Sequence, residues 1–503
     1  MGRHSNKASD LWKSQPWKKL RQNLFRLQRR LYKAVQAGDQ RKARSRQLLI
    51  MKSRSAQLLA IRQVTQLNQG KKTPGIDGKS SLNYRQRLNL LELLNQHATD
   101  WKHAGLREIP IAKKNGKTRL LKIPTIADRA WQCLVKFALE PAHEAEFHPC
   151  SYGFRTGRGA HDAQKHMQNH LKSNSNGITK RVIELDIKKC FDRISHSTIM
   201  ANLIAPKCIK QGVFRCLKAG VNPEFPEQGT PQGGVVSPLL ANVALNGIEE
   251  IHPSIRYADD MVIFLKPKDD AEKVLQNVAT FLAERGMEIS QEKTKITHST
   301  NGFDFLGWNF RVQKNGKFRS MPSADNLRAI KKKIKAVANS SNYGAKVKAK
   351  KLEPIVRGWR NYHRNCKMDG SRNSLWFTAK RTHDKFLREK KISKGQAKKL
   401  ITKAFPKVKW KENKQIKVRG TKSPYDGDLV YWSERNSKLY DNATARALKK
   451  QNHCCGQCGH KLLGNESVHL HHIDGNHDNW KPKNLMAIHQ SCHQYIHSSQ
   501  KDT

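Results

Sequence analysis

The chain has 503 residues, with 95 Lys plus Arg against 41 Asp plus Glu and a formal net charge of +54. So much positive charge opposes a compact state unless a polyanion offsets it, and a hydrophobic content of 37% excludes a merely disordered basic tail. Nucleic acid is the leading partner and an anionic membrane surface the alternative. No apolar run reaches the ~20 residues that span a bilayer, and the polar start MGRHSNKASD lacks the apolar core of a secretory signal.

Residues 11–70 carry 15 Lys plus Arg and one acid. Leu20, Leu24, Leu27 and Leu31 recur at helical spacing. The pattern predicts two basic helices, broken at Gly38, the second capped by Asp39 and running to about Leu67. With so few balancing acids, their surface suits phosphates. TPGIDG, residues 73–78, is a Gly-rich turn that opens the next domain. Residues 106–132 alternate as a hairpin turning at Asn115-Gly116 and studded with Lys113, Lys114, Lys117, Arg119 and Lys122. CSYGFRTGRGA, 150–160, mixes small, aromatic and Arg residues suited to a template strand. Residues 182–187 read as a strand with Asp186 near its end and Phe191 five residues on. GTPQGGVVSPLLANVAL, 229–245, is a glycine turn followed by a helix, and bare glycine backbone can approach a ligand closely.

SIRYADDMVIFLK, 254–266, sets two β-rich runs around Asp259 and Asp260. That predicts a hairpin with both carboxylates at its tip. In isolation the pair reads as an acidic turn in solvent, but adjacent carboxylates also suit a hard cation such as Mg²⁺. From 328 to 351 there are nine Lys plus Arg and no acid, with a helical stripe at Leu327, Ile330, Ile334 and Val337. A second helix carries Leu352, Ile355, Val356, Trp359 and Tyr362, with Trp359 and Tyr362 in its core and Arg357, Arg360 and Arg364 able to face a nucleic-acid backbone. Residues 378–422 stay basic and polar. SPYDGDLVYWSER, 423–435, is an aromatic-acidic island. Of ten cysteines, six are scattered before residue 370 and four crowd the C-terminus, which favours a metal site over a disulfide framework. Cys455-x2-Cys458 and His489-x2-Cys492 make a four-ligand structural zinc set, with Cys454 competing for the place of Cys455. A ~50-residue domain needs such a staple.

One Asp ending a strand, two more on a hairpin and a PQG turn between them resemble the palm of a reverse transcriptase. More narrowly, the chain resembles the proteins encoded by group II introns. PGIDG, IPIAKKNGKTR, SYGFR, LDIKKCFD, GTPQGGVVSPLLANVAL, YADD, EKTKI and FDFLGW stand in that family's order. PIVRGWRNYHRN, 354–365, resembles its maturase domain. RLLKIPT departs from the family's usual RPLGIPT, which puts the shape of that loop in doubt.

The resemblance implies an α+β multidomain chain: a right-hand polymerase with an antiparallel palm sheet, a helical thumb, and a zinc-stapled ββα-metal HNH domain. Its expected parts are a basic helical extension (1–72), fingers and palm (73–312), thumb or X domain (313–422), a DNA-binding linker (423–452) and the HNH endonuclease (453–503). For 423–435 the alternative is a structural spacer. In the palm, Asp186 and Asp259 would share two Mg²⁺ ions with Asp260 third. Phe191 would lie under the sugar and favour dNTPs, its alternative being a core aromatic. Gln232 would touch nucleotide or template, Lys117 and Arg119 would neutralise phosphates, and Lys293 would protonate pyrophosphate. Phe303, Phe305, Leu306 and Trp308 would pack a primer grip.

The C-terminal run HLHHIDGN…KPKNL…CHQYIH resembles an HNH nuclease. By motif position His472 would be the general base, a role suited to its near-neutral pKa. His471, His493 and His497 would hold a divalent ion, Mg²⁺ or Mn²⁺, and Asn484 would orient the loop carrying His472. The alternative is a zinc ribbon that only binds DNA, and the family often has Cys where His489 stands. Implied partners are the intron RNA, at one protein per RNA, target DNA and dNTPs, with no membrane. The expected place is the bacterial cytoplasm at the nucleoid, or an organelle. The rival functions are a splicing-only maturase and a reverse transcriptase of a defence or diversity-generating system.

Overall fold

The computed structural model describes residues 2–112, 118–220, 224–389, 392–408, 417–437, 440, 442–462 and 468–499. The N-terminal part is a helical layer: Gly2–Lys13, Trp17–Gln36, Gln40–Lys52 and Arg54–Arg62. Leu20, Leu24 and Leu31 are buried as their spacing predicts. Asp39 caps the third helix by accepting from Lys42 N at 2.9 Å. The expectation of a single second helix is corrected at Ser53, which is extended (φ −72°, ψ 115°) and whose hydroxyl caps the next helix at Ala56 N. A hydroxyl that can bond the backbone favours a cap over a helix interior.

Strands β1 (Arg107–Ala112) and β2 (Thr118–Ile123) form the expected antiparallel hairpin, with Ile111 opposite Arg119. Its Asn115-Gly116 turn and Lys117 lie outside the described residues. Thr125 caps the helix Ile126–Glu144, which is buried along most of its length.

The palm sheet contains β3 (Arg181–Leu185), β4 (Ser254–Tyr257), β5 (Asp260–Leu265) and β6 (Lys295–His298), in the order β4-β5-β3-β6 and antiparallel throughout. Period-2 alternation splits its side chains between two cores. Ile183, Leu185, Met261, Ile263 and Leu265 pack with the helices Ile126–Glu144 and Ser237–Leu245. Val182, Ile255, Val262 and Phe264 pack with Tyr152, Trp308 and Phe310. Each such side chain contributes roughly 1.5–3 kcal/mol on full burial, so the sheet ends rest on a rigid base.

A second antiparallel sheet, β7 (Phe303–Phe305), β8 (Trp308–Val312) and β9 (Phe318–Pro322), continues past residue 312. The palm–thumb boundary therefore moves to Ser323, which caps the helix Ala324–Asn339. The thumb continues through Ala345–Tyr362 and two further helices, Asp369–Leu387 and Lys394–Ala404. They share a core of Ile330, Ile334, Leu352, Val356, Leu375 and Phe386. Trp308 is fully buried and stacks on Tyr362 at 4.3 Å, and Tyr362 OH donates to Leu306 O at 2.8 Å. The FDFLGW block thus packs palm to thumb.

The 423–435 island is bound into the body. Trp432 is fully buried and donates to Ser423 O at 2.9 Å. Arg435 pairs with Asp162, and Tyr425 lies 6.4 Å from Phe25 and 6.5 Å from Tyr32. The C-terminal module places β10 (Val468–His472) antiparallel to β11 (Leu485–His489), followed by the helix Gln490–Ser499. No helix among the described residues is long and apolar enough to cross a membrane.

Candidate active sites

The palm hairpin turns where expected. Tyr257 pairs with Asp260, and the turn passes through Ala258 at φ 60°. Two buried arginines hold it. Arg256, fully buried, donates from Nε to Glu249 at 2.6 Å, and from Nη1 to Asn242 at 2.9 Å and to Ala258 O at 3.0 Å. Arg155 grips Glu144 with two bonds, at 2.9 and 3.0 Å, and reaches the carbonyls of His148 and Ser151. It thereby fixes the SYGFR loop, whose Tyr152 N donates to Arg256 O at 2.9 Å. A Cβ on Gly153 would stand 2.2 Å from Ala258 N, so only glycine lets this loop lie on the YADD turn.

Asp186 follows β3 and accepts Lys293 Nζ at 2.9 and 3.1 Å. Lys293 is thus on the carboxylate itself. Asp260 is raised to about 6, first by loss of water around its carboxyl, then by Asp259 and Asp186. The residue is still exposed, so repulsion between the carboxylates is the firmer cause. The three do not bring one oxygen each to within 4.8 Å of the others. Hard oxygen donors with excess negative charge fit a divalent cation.

Around them, the Phe191 ring meets Phe154 edge-on at 6.5 Å, and Phe154 is exposed with φ 58°. Sequence reasoning assigned Phe154 no role of its own, although it lies in the SYGFR block. Gln232 donates to Asp192 Oδ1 at 3.1 Å, and its carbonyl accepts from Lys122 N at 2.9 Å. The PQG turn is thereby joined to the basic hairpin that carries Arg119.

In the C-terminal module Cys455, Cys458, His489 and Cys492 gather within 4.8 Å, as their spacing predicts. His489 Nδ1 is 3.3 Å from Cys458 Sγ and 4.0 Å from Cys492 Sγ. Tetrahedral zinc would need ligand separations of about 3.6–3.8 Å. Hydrogen bonding within the cluster pushes the Cys455 thiol down and the Cys458 thiol up, so the set shares its protons, and the thiolate is the metal-binding form. Cys454 lies outside the cluster, 3.6 Å from Asn452 O.

His471, His493 and His497 form a second cluster. His493 and His497 bring their Nε2 atoms to 3.3 Å, as an i, i+4 pair on a helix allows. His469, two residues before His471 on the same strand face, puts its ring 5.1 Å from His493. Sequence reasoning passed it over, although the HLHH alternation carries the signal. His472 points to the opposite face, with His477 and Trp480 each 5.1 Å away. Neither of its ring nitrogens has a hydrogen bond among the described residues. Its pKa is lowered by burial and then by His477, which leaves a neutral imidazole able to take a proton. Asn484 holds the loop after His472: it accepts from Asp474 N at 3.0 Å and donates to Asp474 at 2.8 Å and to Asn479 O at 3.0 Å.

Of the three thumb arginines, Arg360 donates to Phe405 O at 3.2 Å and to Pro406 O at 2.7 Å. Its guanidinium thus joins thumb elements, a correction to its expected place facing RNA. Arg357 pairs with Glu353 one helical turn away, and Arg364 is half-buried.

Residues 111–310 match the family model of reverse transcriptase (RNA-dependent DNA polymerase), 12–94 that of the N-terminal domain of reverse transcriptase, and 327–405 the group II intron maturase-specific domain. Maturase-like protein 1 of Euglena gracilis is 39% identical over 393 residues, 77% of this chain and 85% of that one. This chain belongs to the group II intron reverse transcriptase/maturase family. The group II intron-encoded protein LtrA of Lactococcus lactis subsp. cremoris is 30% identical over 292 residues, 42% of this chain and 48% of its own. A telomerase structure from Candida albicans aligns over 62% of this chain and 63% of its own with a TM-score of 0.32 at 11% identity. In the reverse transcriptase/maturase family the activity is RNA-directed DNA synthesis with divalent metals such as Mg²⁺, and the carboxylate palm of this chain has the donor chemistry for it.

Proposed function

We propose that the protein binds its group II intron RNA, assists splicing, nicks one strand of a target DNA with its C-terminal HNH module, and extends the cleaved 3′ end by copying the RNA. This is retrohoming by target-primed reverse transcription, at the nucleoid of a bacterial cell or in an organelle. The observation that carries the reading is the histidine trio His471, His493 and His497, with Asn484 fixing the turn after His472, in the same chain as the palm carboxylates.

In the palm, Asp186, Asp259 and Asp260 would hold two Mg²⁺ ions, which supply activation of the primer 3′-oxygen and neutralisation of the triphosphate. Phe191, backed by Phe154, would bear on the sugar and exclude a 2′-hydroxyl. Gln232 would contact the incoming nucleotide or the template, and Arg119 would neutralise the phosphates. Lys293, released from Asp186, would protonate pyrophosphate. In the nuclease, His472 would take a proton from water, and His471, His493 and His497 would bind a Mg²⁺ or Mn²⁺ that stabilises the scissile phosphate. Cys455, Cys458, His489 and Cys492 would hold structural Zn²⁺. The charge of +54 suits assembly with RNA, where counterion release supplies affinity.

The test uses the ribonucleoprotein and a duplex spanning the ligated exon junction. His472→Ala should abolish nicking yet leave cDNA synthesis from a pre-nicked primer; unchanged nicking removes His472 as the base. Absence of product on poly(rA)/oligo(dT) with Mg²⁺ removes the polymerase.

A further inference from the structure

The C-terminal module is seated on the N-terminal helices. His460 Nε2 meets Lys18 O at 3.0 Å, and Arg21 reaches Cys492 Sγ at 3.8 Å. Arg62 donates to Ser491 O at 3.4 Å while its guanidinium lies 4.4 Å from the Trp17 ring. Between the two parts is a cavity of about 560 Å³, within the ~300–1,000 Å³ usual for ligand sites. Trp12, Trp17, Tyr84 and Arg87 line one wall; His493 and His497, two of the histidine trio, line the other.

The two walls differ in chemistry. Trp12 and Trp17 stand 5.2 Å apart. The Arg87 guanidinium lies 5.0 Å from the Tyr84 ring and 5.6 Å from Trp12. Its Nε and Nη1 make no hydrogen bond among the described residues. Trp12 is buried, so the half-buried rings of Trp17 and Tyr84 offer the open faces; aromatic faces beside a guanidinium are what a single nucleic-acid strand requires, since bases stack and phosphates accept. An apolar peptide would leave the Arg87 donors without acceptors. An inorganic phosphate would leave the rings uncovered. A DNA strand meets both needs, and it has a reason to lie against the histidine trio.

We infer that the N-terminal helices are the second wall of the nuclease site. They hold an unpaired nucleotide of the DNA strand in this cavity, next to the phosphate presented to His471, His493 and His497. The inference rests on the nuclease reading above and adds a substrate contact that lies more than four hundred residues upstream in the chain. Tyr84 and Arg87 are then positioning residues for cleavage.

The decisive experiment needs no variant and no added metal. The full-length ribonucleoprotein, without added Mg²⁺ or Mn²⁺ and without a chelator so that structural zinc stays in place, is crosslinked to a target strand carrying 4-thiothymidine at positions flanking the cut, and the adducts are mapped. Adducts in both the 12–17 or 84–87 region and the 493–497 region are expected. Adducts confined to the C-terminal module, or to the thumb, overturn the inference. In parallel, Arg87→Gln should weaken binding of a 2-aminopurine-labelled single-stranded oligodeoxynucleotide, without added Mg²⁺ or Mn²⁺ and without a chelator, by about five- to tenfold; equal affinity overturns it. An oligoribonucleotide of the same sequence that displaces the DNA at lower concentration makes the occupant RNA and overturns it too. Nicking by the wild-type particle in Mn²⁺ is scored separately. Adducts on both walls without nicking remove the nuclease and leave the shared cavity, whereas nicking with one-sided adducts removes the second wall.

Discussion

The palm and the C-terminal module both assemble metal ligands, but from different materials. The palm sets carboxylates at the ends of strands that separate two large cores. Its three carboxylates stand apart, and Lys293 neutralises one of them. The module has a small core, yet its four Cys/His ligands and its three histidines are already gathered. Neutral imidazoles and a thiol–thiolate set tolerate crowding that three carboxylates do not. On the proposed function, metal in the palm would serve chemistry on a scaffold that stands by itself, whereas zinc in the module would also serve the scaffold.

The strongest way to break that contrast is to remove zinc. A chelator, or Cys455→Ser, should unfold the module, because structural zinc sites contribute about 10–16 kcal/mol of apparent binding energy to such folds. Nicking should vanish while primer extension persists, with loss of module order read by hydrogen exchange over 453–499. Equal loss of both activities would show that the palm depends on the module after all. Next in size is Asp259→Asn. It should cost about a thousandfold in primer extension, since metal-held charge is worth several kcal/mol and each 1.4 kcal/mol is a factor of ten. The melting temperature should not fall, because removing one of several like charges relieves repulsion. A destabilised variant would mean that Asp259 holds the fold.

The scaffold claim is tested at Arg256. Arg256→Met leaves Glu249 buried and uncompensated, with one carboxylate oxygen already lacking a hydrogen bond among the described residues. A loss of about 3–5 kcal/mol in denaturant unfolding is expected. Adding Glu249→Leu should recover much of it, as apolar replacement of a whole buried pair often does. Failure of that rescue would mean that the bond to Ala258 O, and not the ion pair, sustains the turn.

These residues also mark where sequence reading stops. The YADD hairpin, the Asp39 cap and the Cys455–Cys492 cluster were legible because each depends on neighbours a few residues away or on a fixed ligand spacing. Arg256–Glu249, Arg155–Glu144 and the seating of Trp432 were not. An arginine in a +54 chain reads as a phosphate contact until its buried carboxylate is found, and Arg360 shows the same trap. The break at Ser53 was missed because helical periodicity continues across it while a hydroxyl cap interrupts the backbone. His469 was visible in HLHH but needed the strand face to give it a neighbour.

The smallest effect concerns Lys293, and it sharpens the palm half of the contrast. With Asp260 near 6, protons compete with Mg²⁺ as pH falls through that value, so the apparent Mg²⁺ affinity in primer extension should be full above pH 7 and weaken below about 6. Lys293 pulls the Asp260 carboxyl down, so Lys293→Ala should move the weakening to higher pH. The Lys293 side chain is 64% exposed, and exposed pairs are worth at most about 1 kcal/mol. A loss of about two- to fivefold in Mg²⁺ affinity near pH 6, shrinking toward pH 8, is the expected reading. If Lys293 instead donates the proton to pyrophosphate, the variant loses turnover at every pH with Mg²⁺ saturating. The two roles separate cleanly, because one appears in the metal affinity and the other in the rate at saturation.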